Sequence, residues 1–182
     1  MAIIHIVRHG RAQAGFEASD PGLDVLGQDQ AECAAKELAR LSPRPILTSP
    51  LRRARETAAA LGRTWKCKPI VEQTVAEIPT PARVNFAERV PWLRAFMGGS
   101  WRDADPDLLV WRKNVIATLL AVPEDVVIFS HFVAINVGVG ASVGDDRVAV
   151  FAPDNCSITV FETNGTTLKL IELGRQSTTR IG

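Results

Sequence analysis

Ala2-Ile3-Ile4-His5-Ile6-Val7, running directly into Arg8-His9-Gly10, is the stretch on which the fold turns. Its β-branched, nearly uninterrupted apolar run reads as a buried strand that stops at a turn, which puts Arg8 and His9 at the strand's C-terminal tip. Asp125-Val126-Val127-Ile128-Phe129-Ser130 repeats the pattern and delivers His131 to the same kind of tip. Between and around them the spacing predicts further elements in alternation. Asp24 caps a helix with Leu26, Ala34, Leu38 and Leu41 on one face, ended by Ser42-Pro43. Pro45 to Thr48 is a second strand; Ser49 as a cap and Pro50 as a first helical residue then open a helix lined by Leu51, Ala54, Ala58 and Leu61 and closed by Gly62. Lys68 to Gln73 is a third strand, and the two prolines of Ile78-Pro79-Thr80-Pro81 impose a loop. Asn85 and Glu88 form a capping pair for a short helix reaching Phe96, with Pro91 a potential break, and Gly98-Gly99-Ser100 interrupts the chain. Asp105-Pro106 opens a helix with Leu108, Trp111, Val115 and Leu119 on one stripe; Val133 to Gly140 continues as helix; Ser157 to Phe161 and Thr167 to Leu173 flank Asn164-Gly165 as a hairpin. Strands alternating with helices predict an α/β fold, a three-layer α/β/α sandwich with a mostly parallel central sheet and the hairpin at one edge.

The composition agrees with an ordinary globular chain. Its 182 residues contain 46% hydrophobic and 23% charged residues, the usual proportions and size for one domain spanning 1–182. The 21 basic residues against 20 acidic ones leave a formal charge of +1, which gives no global field for nucleic acid or an anionic membrane. Cys33, Cys67 and Cys156 are odd in number and lack Cys-x-x-Cys spacing, so neither a disulfide framework nor a zinc ribbon is expected and a cytoplasmic setting is favoured. No signal peptide and no membrane span are predicted, and three histidines make a poor case for the convergent ligands that a metal needs.

In an α/β sheet, ligands bind beyond the carboxyl ends of the strands. That rule gathers Arg8 and His9 after the first strand, Ser49 to Arg53 after the second, Glu77 after the third and His131 after the fourth. Imidazole and guanidinium groups at one sheet edge suit phosphoryl transfer, whose transition state spreads negative charge over three oxygens. Arg8 and Arg53 can each bind two phosphate oxygens with a planar fork while a neutral histidine nitrogen attacks. Ser49 and Ser130 lack the Gly-x-Ser-x-Gly elbow of a serine hydrolase.

Taken together, Val7-Arg8-His9-Gly10, Ser49-Pro50-Leu51-Arg52-Arg53-Ala54, Ala76-Glu77-Ile78 and Phe129-Ser130-His131 resemble, in order and spacing, the histidine phosphatase superfamily with its phosphoglycerate mutase-like fold. Leu23 to Ala31 is similar to the start of that family's first helix, and Asn155-Cys156-Ser157-Ile158-Thr159 to its late strand, so the resemblance runs from about Ile3 to Val160. The resemblance implies that His9 is the phosphorylated nucleophile, Arg8 and Arg53 the phosphate clamp, His131 a second pocket histidine and Glu77 the proton donor. It implies a metal-independent phosphatase of the histidine acid phosphatase type, without cofactor, acting on a small phosphorylated metabolite.

Departures from the family pattern bear on the pocket. Ala12 and Gly15 stand where many relatives have a hydroxyl residue and Asn, Phe132 replaces the usual Gly after the second histidine and is expected to narrow the pocket mouth, and Glu56 replaces a Gln. Arg11 is a further candidate contact to an anionic substrate, while His5, Arg52 and Arg55 read as packing or surface residues and Trp92, Trp101 and Trp111 as core or lid. Rival readings are a protein phosphohistidine phosphatase, a phosphoglycerate mutase-type phosphotransferase, for which the chain looks short, and a non-catalytic phosphate-binding module. The motifs name neither the physiological substrate nor the oligomeric state.

Overall fold

The computed structural model describes residues 1–13 and 20–177. The first strand, β1, spans Ala2–Arg8 and is followed by helix α1 (Val25–Leu38), β2 (Ile46–Thr48), α2 (Arg52–Trp65) and β3 (Ile70–Val71). Then come α3 (Arg89–Met97), α4 (Pro106–Leu120), β4 (Val126–Ser130), α5 (Phe132–Val143) and the hairpin β5 (Ile158–Thr163) and β6 (Leu168–Glu172). The six strands form one sheet in the order β3-β2-β4-β1-β5-β6. β3, β2, β4 and β1 run parallel, and β5 and β6 add an antiparallel edge.

Period-two alternation explains the layers. On one face, Val7 of β1, Ile46 of β2 and Val127 and Phe129 of β4 pack with Ala34 and Leu38 of α1 and Ala58 and Leu61 of α2. On the other, Ile4, Ile6, Val126 and Ile128 pack with Leu108, Val115 and Leu119 of α4 and with the wholly buried α5 residues Ala134, Ile135 and Val137. Strands β1 and β4 therefore have no solvent face, which is why both are near-continuous apolar runs. Each such buried aliphatic contributes about 1.5–3 kcal/mol relative to an exposed one. Trp101 is buried among Phe96, Trp111 and the Arg112 guanidinium, so the tryptophans here pack the layer below α3.

Several local expectations are corrected. α1 is capped by Asp24, which accepts from Gly27 N, but Leu26 is exposed and off the buried face. α2 does not end at Gly62: it continues to Trp65 and turns out through Lys66 in the left-handed region. Gly62 instead lets the returning chain approach, since a Cβ there would lie 2.8 Å from the carbonyl oxygen of Cys67. The third strand shrinks from Lys68–Gln73 to two residues, because it pairs on one side only and leaves Ile70 60% exposed. Pro91 does not break α3, where it falls in the first turn and withholds an N–H that the helix does not need. The three cysteines are free, and among the described residues no helix is long and apolar enough to cross a membrane.

Candidate active site

The register of the central strands builds the site. Arg8 pairs with Ser130 and Thr48 with Phe129, so β1, β2 and β4 end level with one another. Their next residues, His9, Ser49 and His131, meet beyond the sheet: His9 N donates to Ser130 O at 3.0 Å and Ser49 N to Phe129 O at 2.9 Å. The His9 and His131 rings stand 5.0 Å apart, tilted by 58°. α2 starts two residues beyond Pro50 and α5 starts right after His131, so both helices open at this edge.

His9 is held in one tautomer. Its Nδ1 donates to Gly10 O at 2.7 Å, which leaves Nε2 with a free lone pair. Arg53 Nε donates to that Nε2 at 3.2 Å, while Arg53 Nη2 lies 3.3 Å from Nδ1 of His131. One guanidinium thus spans both imidazoles. Burial first, then the charges of Arg53 and Arg8, pull His9 down to about 3, so the ring is neutral across the physiological range. His131 is lowered by the same causes, with burial again leading and His9 next.

Arg8 Nη1 donates to Pro153 O at 2.8 Å and its guanidinium stacks over Phe132 at 5.4 Å, yet its Nε is buried without a partner. Glu77 is brought to the same edge by a neighbour. Ser130 Oγ donates to Val75 O at 2.7 Å, tying the 3₁₀ turn Gln73–Val75 to the tip of β4, and Ile78 locks into the core. Glu77 Oε1 accepts from Ile78 N at 2.9 Å. Desolvation raises the Glu77 carboxyl above its ordinary value, against the opposing pull of Arg53, Arg8 and Arg89. All five residues singled out in the sequence, Arg8, His9, Arg53, Glu77 and His131, therefore share one electrostatic neighbourhood.

The remaining sequence candidates fall elsewhere. Arg11 pairs with the α1 cap Asp24 through Nε, so its charge is spent on the helix start. Phe132 is only 7% exposed and belongs to the core beneath Arg8, where the large ring supports that guanidinium instead of narrowing the mouth. Glu56 accepts from Leu23 N and Arg52 Nε, outside the chemistry. His5 is half-buried in β1, lowered by desolvation and the charge of Arg44, with Nδ1 unpartnered. Ala12 bridges Leu23, and Gly15 lies outside the described residues.

Other residues escaped the sequence reading. Ser49 does not cap α2, whose cap is Leu51; its buried hydroxyl instead lies 2.7 Å from His131 Nε2. Asn155 Nδ2 donates to His9 O at 2.9 Å, and Thr57 Oγ1 accepts from Gly10 N while donating to Arg53 O. Hydroxyl and amide residues at strand tips are common caps, so nothing local distinguished them. Arg89, whose charge acts on Glu77, Arg53 and His131, was hidden too.

Residues 4–82, the part carrying β1, α2 and Glu77, match the family described as histidine phosphatase superfamily (branch 1). Comparison with curated protein sequences finds no match. Among solved structures, Bacillus stearothermophilus YhfR is similar at a TM-score of 0.74 and 19% identity, with 97% of this chain and 98% of that one covered. Mycobacterial glucosyl-3-phosphoglycerate phosphatase in complex with VO3 gives 0.73 at 22% identity, covering 97% of this chain and 100% of that one. Entamoeba histolytica phosphoserine phosphatase with 3-phosphoglyceric acid gives 0.73 at 20% identity, with 98% of each chain covered. These likenesses bear on the fold: a six-stranded, mostly parallel sheet with helices, as in phosphoglycerate mutase-like phosphatases.

Proposed function

We propose that residues 1–182 form one phosphatase domain that hydrolyses phosphate monoesters of a small metabolite through a phosphohistidine at His9. The observation that carries this reading is the Arg53 guanidinium spanning His9 Nε2 and His131 Nδ1. It sets a permanent cation beside a neutral, lone-pair-bearing nitrogen, where a phosphoryl group must sit to be attacked. The orphaned Nε of Arg8 supports the same reading, since a phosphate oxygen supplies the missing acceptor. The similar solved structures, a glucosyl-3-phosphoglycerate phosphatase and a phosphoserine phosphatase, favour a small phosphorylated substrate.

In the forward step His9 Nε2 attacks phosphorus in line, the P–O ester bond breaks, and the departing alkoxide takes the proton of Glu77. Arg8 and Arg53 hold the equatorial oxygens. His131 adds a third donor, because Ser49 can either accept from Nε2 or donate to it and so let Nδ1 carry the proton. In the second step the Glu77 carboxylate takes a proton from water, whose oxygen attacks the phosphohistidine and releases phosphate. No step requires a metal, the cationic work falling to arginines. Three free thiols favour a reducing, cytoplasmic compartment.

Quenching turnover of a labelled phosphate ester without acid is expected to trap a base-stable, acid-labile adduct on His9. Turnover by His9→Ala at more than a trace of the wild-type rate sinks the assignment.

A further inference from the structure

The His9–Gly10 peptide is held at both of its polar ends by side chains from distant parts of the chain. Asn155 Nδ2 donates to its carbonyl oxygen at 2.9 Å, and Thr57 Oγ1 accepts from its N–H at 3.1 Å. Two more bonds fix the flanking atoms: His9 N donates to Ser130 O at 3.0 Å, and the ring's own Nδ1 donates to Gly10 O at 2.7 Å. The ring orientation that leaves Nε2 bare therefore depends on where this one peptide lies.

Local chemistry explains neither side-chain contact. Thr57 is wholly buried in α2 and donates to Arg53 O at 2.7 Å, a back-bond that Thr64 of the same helix also makes to Ala60 O. What sets Thr57 apart is the second bond, to a residue 47 positions away, which joins the backbone of Arg53 to that of the nucleophile loop. Asn155 is delivered by a bulge. Cys156 N donates to Arg8 O at 3.0 Å while Arg8 N donates to Ser157 O at 3.2 Å, so two residues face one just before β5. Cys156 takes a φ of +55°, the left-handed region that favours glycine, although its side chain is buried. Backbone strain of that kind persists where the surrounding structure enforces it. The turn it completes is closed by Ser157 N donating to Asp154 O at 3.1 Å, and it sets the Asn155 amide on His9 and the Pro153 carbonyl on Arg8.

We propose that Thr57 and Asn155 are a pair of positioning residues that pin the His9–Gly10 peptide from both ends and so aim the His9 imidazole at the phosphoryl group. The inference rests on the phosphatase reading for the attack it serves, whereas the placement of the ring is a property of the folded chain itself. Because one peptide takes both bonds, releasing either end frees the same group, and the two residues act as a unit.

Thr57→Val keeps the shape and removes the hydroxyl, Thr57→Ser keeps the hydroxyl and removes the methyl, and Asn155→Leu removes the amide. With nitrophenyl phosphate, Thr57→Val and Asn155→Leu are each expected to lower kcat about 10- to 100-fold, the scale of a slightly misplaced reacting group, and to change KM less than about threefold. Thr57→Ser is expected to recover most of the loss; the reverse order of the two Thr57 variants marks a packing role and overturns the proposal. The double variant is expected to lose no more than the worse single one, and losses that multiply overturn it as two independent effects. The ¹⁵N signals of the His9 ring, identified by their absence in His9→Gln, read the placement without turnover. In the wild type they are expected to report one tautomer with Nε2 bare, and in Thr57→Val and Asn155→Leu an average of the two. If the wild type hydrolyses no ester, the phosphatase reading fails, and the averaging alone then upholds this inference. Unchanged ring signals in both variants defeat it, whatever the rates. Should Thr57→Val not fold, Asn155→Leu, at a half-buried position, carries both readouts.

Discussion

His131 Nε2 and Ser49 Oγ lie 2.7 Å apart, with both side chains wholly buried. The hydroxyl also accepts from Leu51 N at 3.2 Å, so it fixes the imidazole against the start of α2. Ser49→Ala leaves a buried ring nitrogen without a partner, a loss of about 1–3 kcal/mol. We expect a lower unfolding midpoint in urea and a fall in kcat larger than the change in KM. The ¹⁵N shifts of His131 are the sharper readout: a ring whose tautomer is unchanged in the variant removes Ser49 from the chemistry.

Glu77 is raised by desolvation, and a general acid must carry its proton, so rate on alkyl phosphates should fall as pH climbs through that raised value. Glu77→Gln should lose this alkaline limb and drop alkyl phosphate turnover about 10²- to 10⁴-fold, while nitrophenyl phosphate, whose leaving group needs little protonation, loses far less. Equal losses on both esters would show that Glu77 only positions the site.

Acid should weaken the fold through the imidazoles. His9 sits at about 3 in the folded chain against 6.5 when unfolded, so between these values the unfolded chain binds the extra proton. Stability is therefore fully present above about pH 6.5 and drains away as pH falls toward 3, by up to about 1.4 kcal/mol per pH unit for this group. His131 adds to the loss in the same direction. Denaturant midpoints measured from neutral to acid pH in wild type and His9→Gln check this. An identical slope in both would mean that His9 is not the source.

Gly27 and Gly10 let the loop behind His9 lie directly on α1. A Cβ at Gly27 would stand 2.0 Å from Arg11 O, and one at Gly10 2.5 Å from Gly27 O, both against backbone that cannot swing aside. Gly27→Ala is expected to cost about 1–3 kcal/mol in thermal or urea unfolding and to depress activity by moving Gly10 O, the acceptor that sets the His9 tautomer. A variant with normal stability and rate would contradict this packing.

The elements that could be read in advance were those whose cause is local. β1 and β4 announce themselves because strands covered on both faces are near-continuous apolar runs, and Asp24 because a capping carboxylate needs only the N–H three residues on. The Ser49 and Gly62 assignments went astray for the converse reason. A Ser-Pro pair before a helix looks the same whether its hydroxyl caps that helix or meets an imidazole 82 positions away. Gly62 looks like a terminator, although its small size serves Cys67.

The sequence by itself determined which chemistry-bearing residues occupy the strand tips: Arg8-His9, the Ser49 to Arg53 turn and Ser130-His131. Order and spacing suffice for that, since a strand's end is marked in its own residues. What only the tertiary structure decided is how those tips face one another. Parallel register brings Arg8 level with Ser130, Arg53 reaches both imidazoles, and Phe132 goes beneath Arg8. Such pairings follow from strand order and loop path, which depend on the packing of both core layers at once and leave no mark in the neighbouring residues.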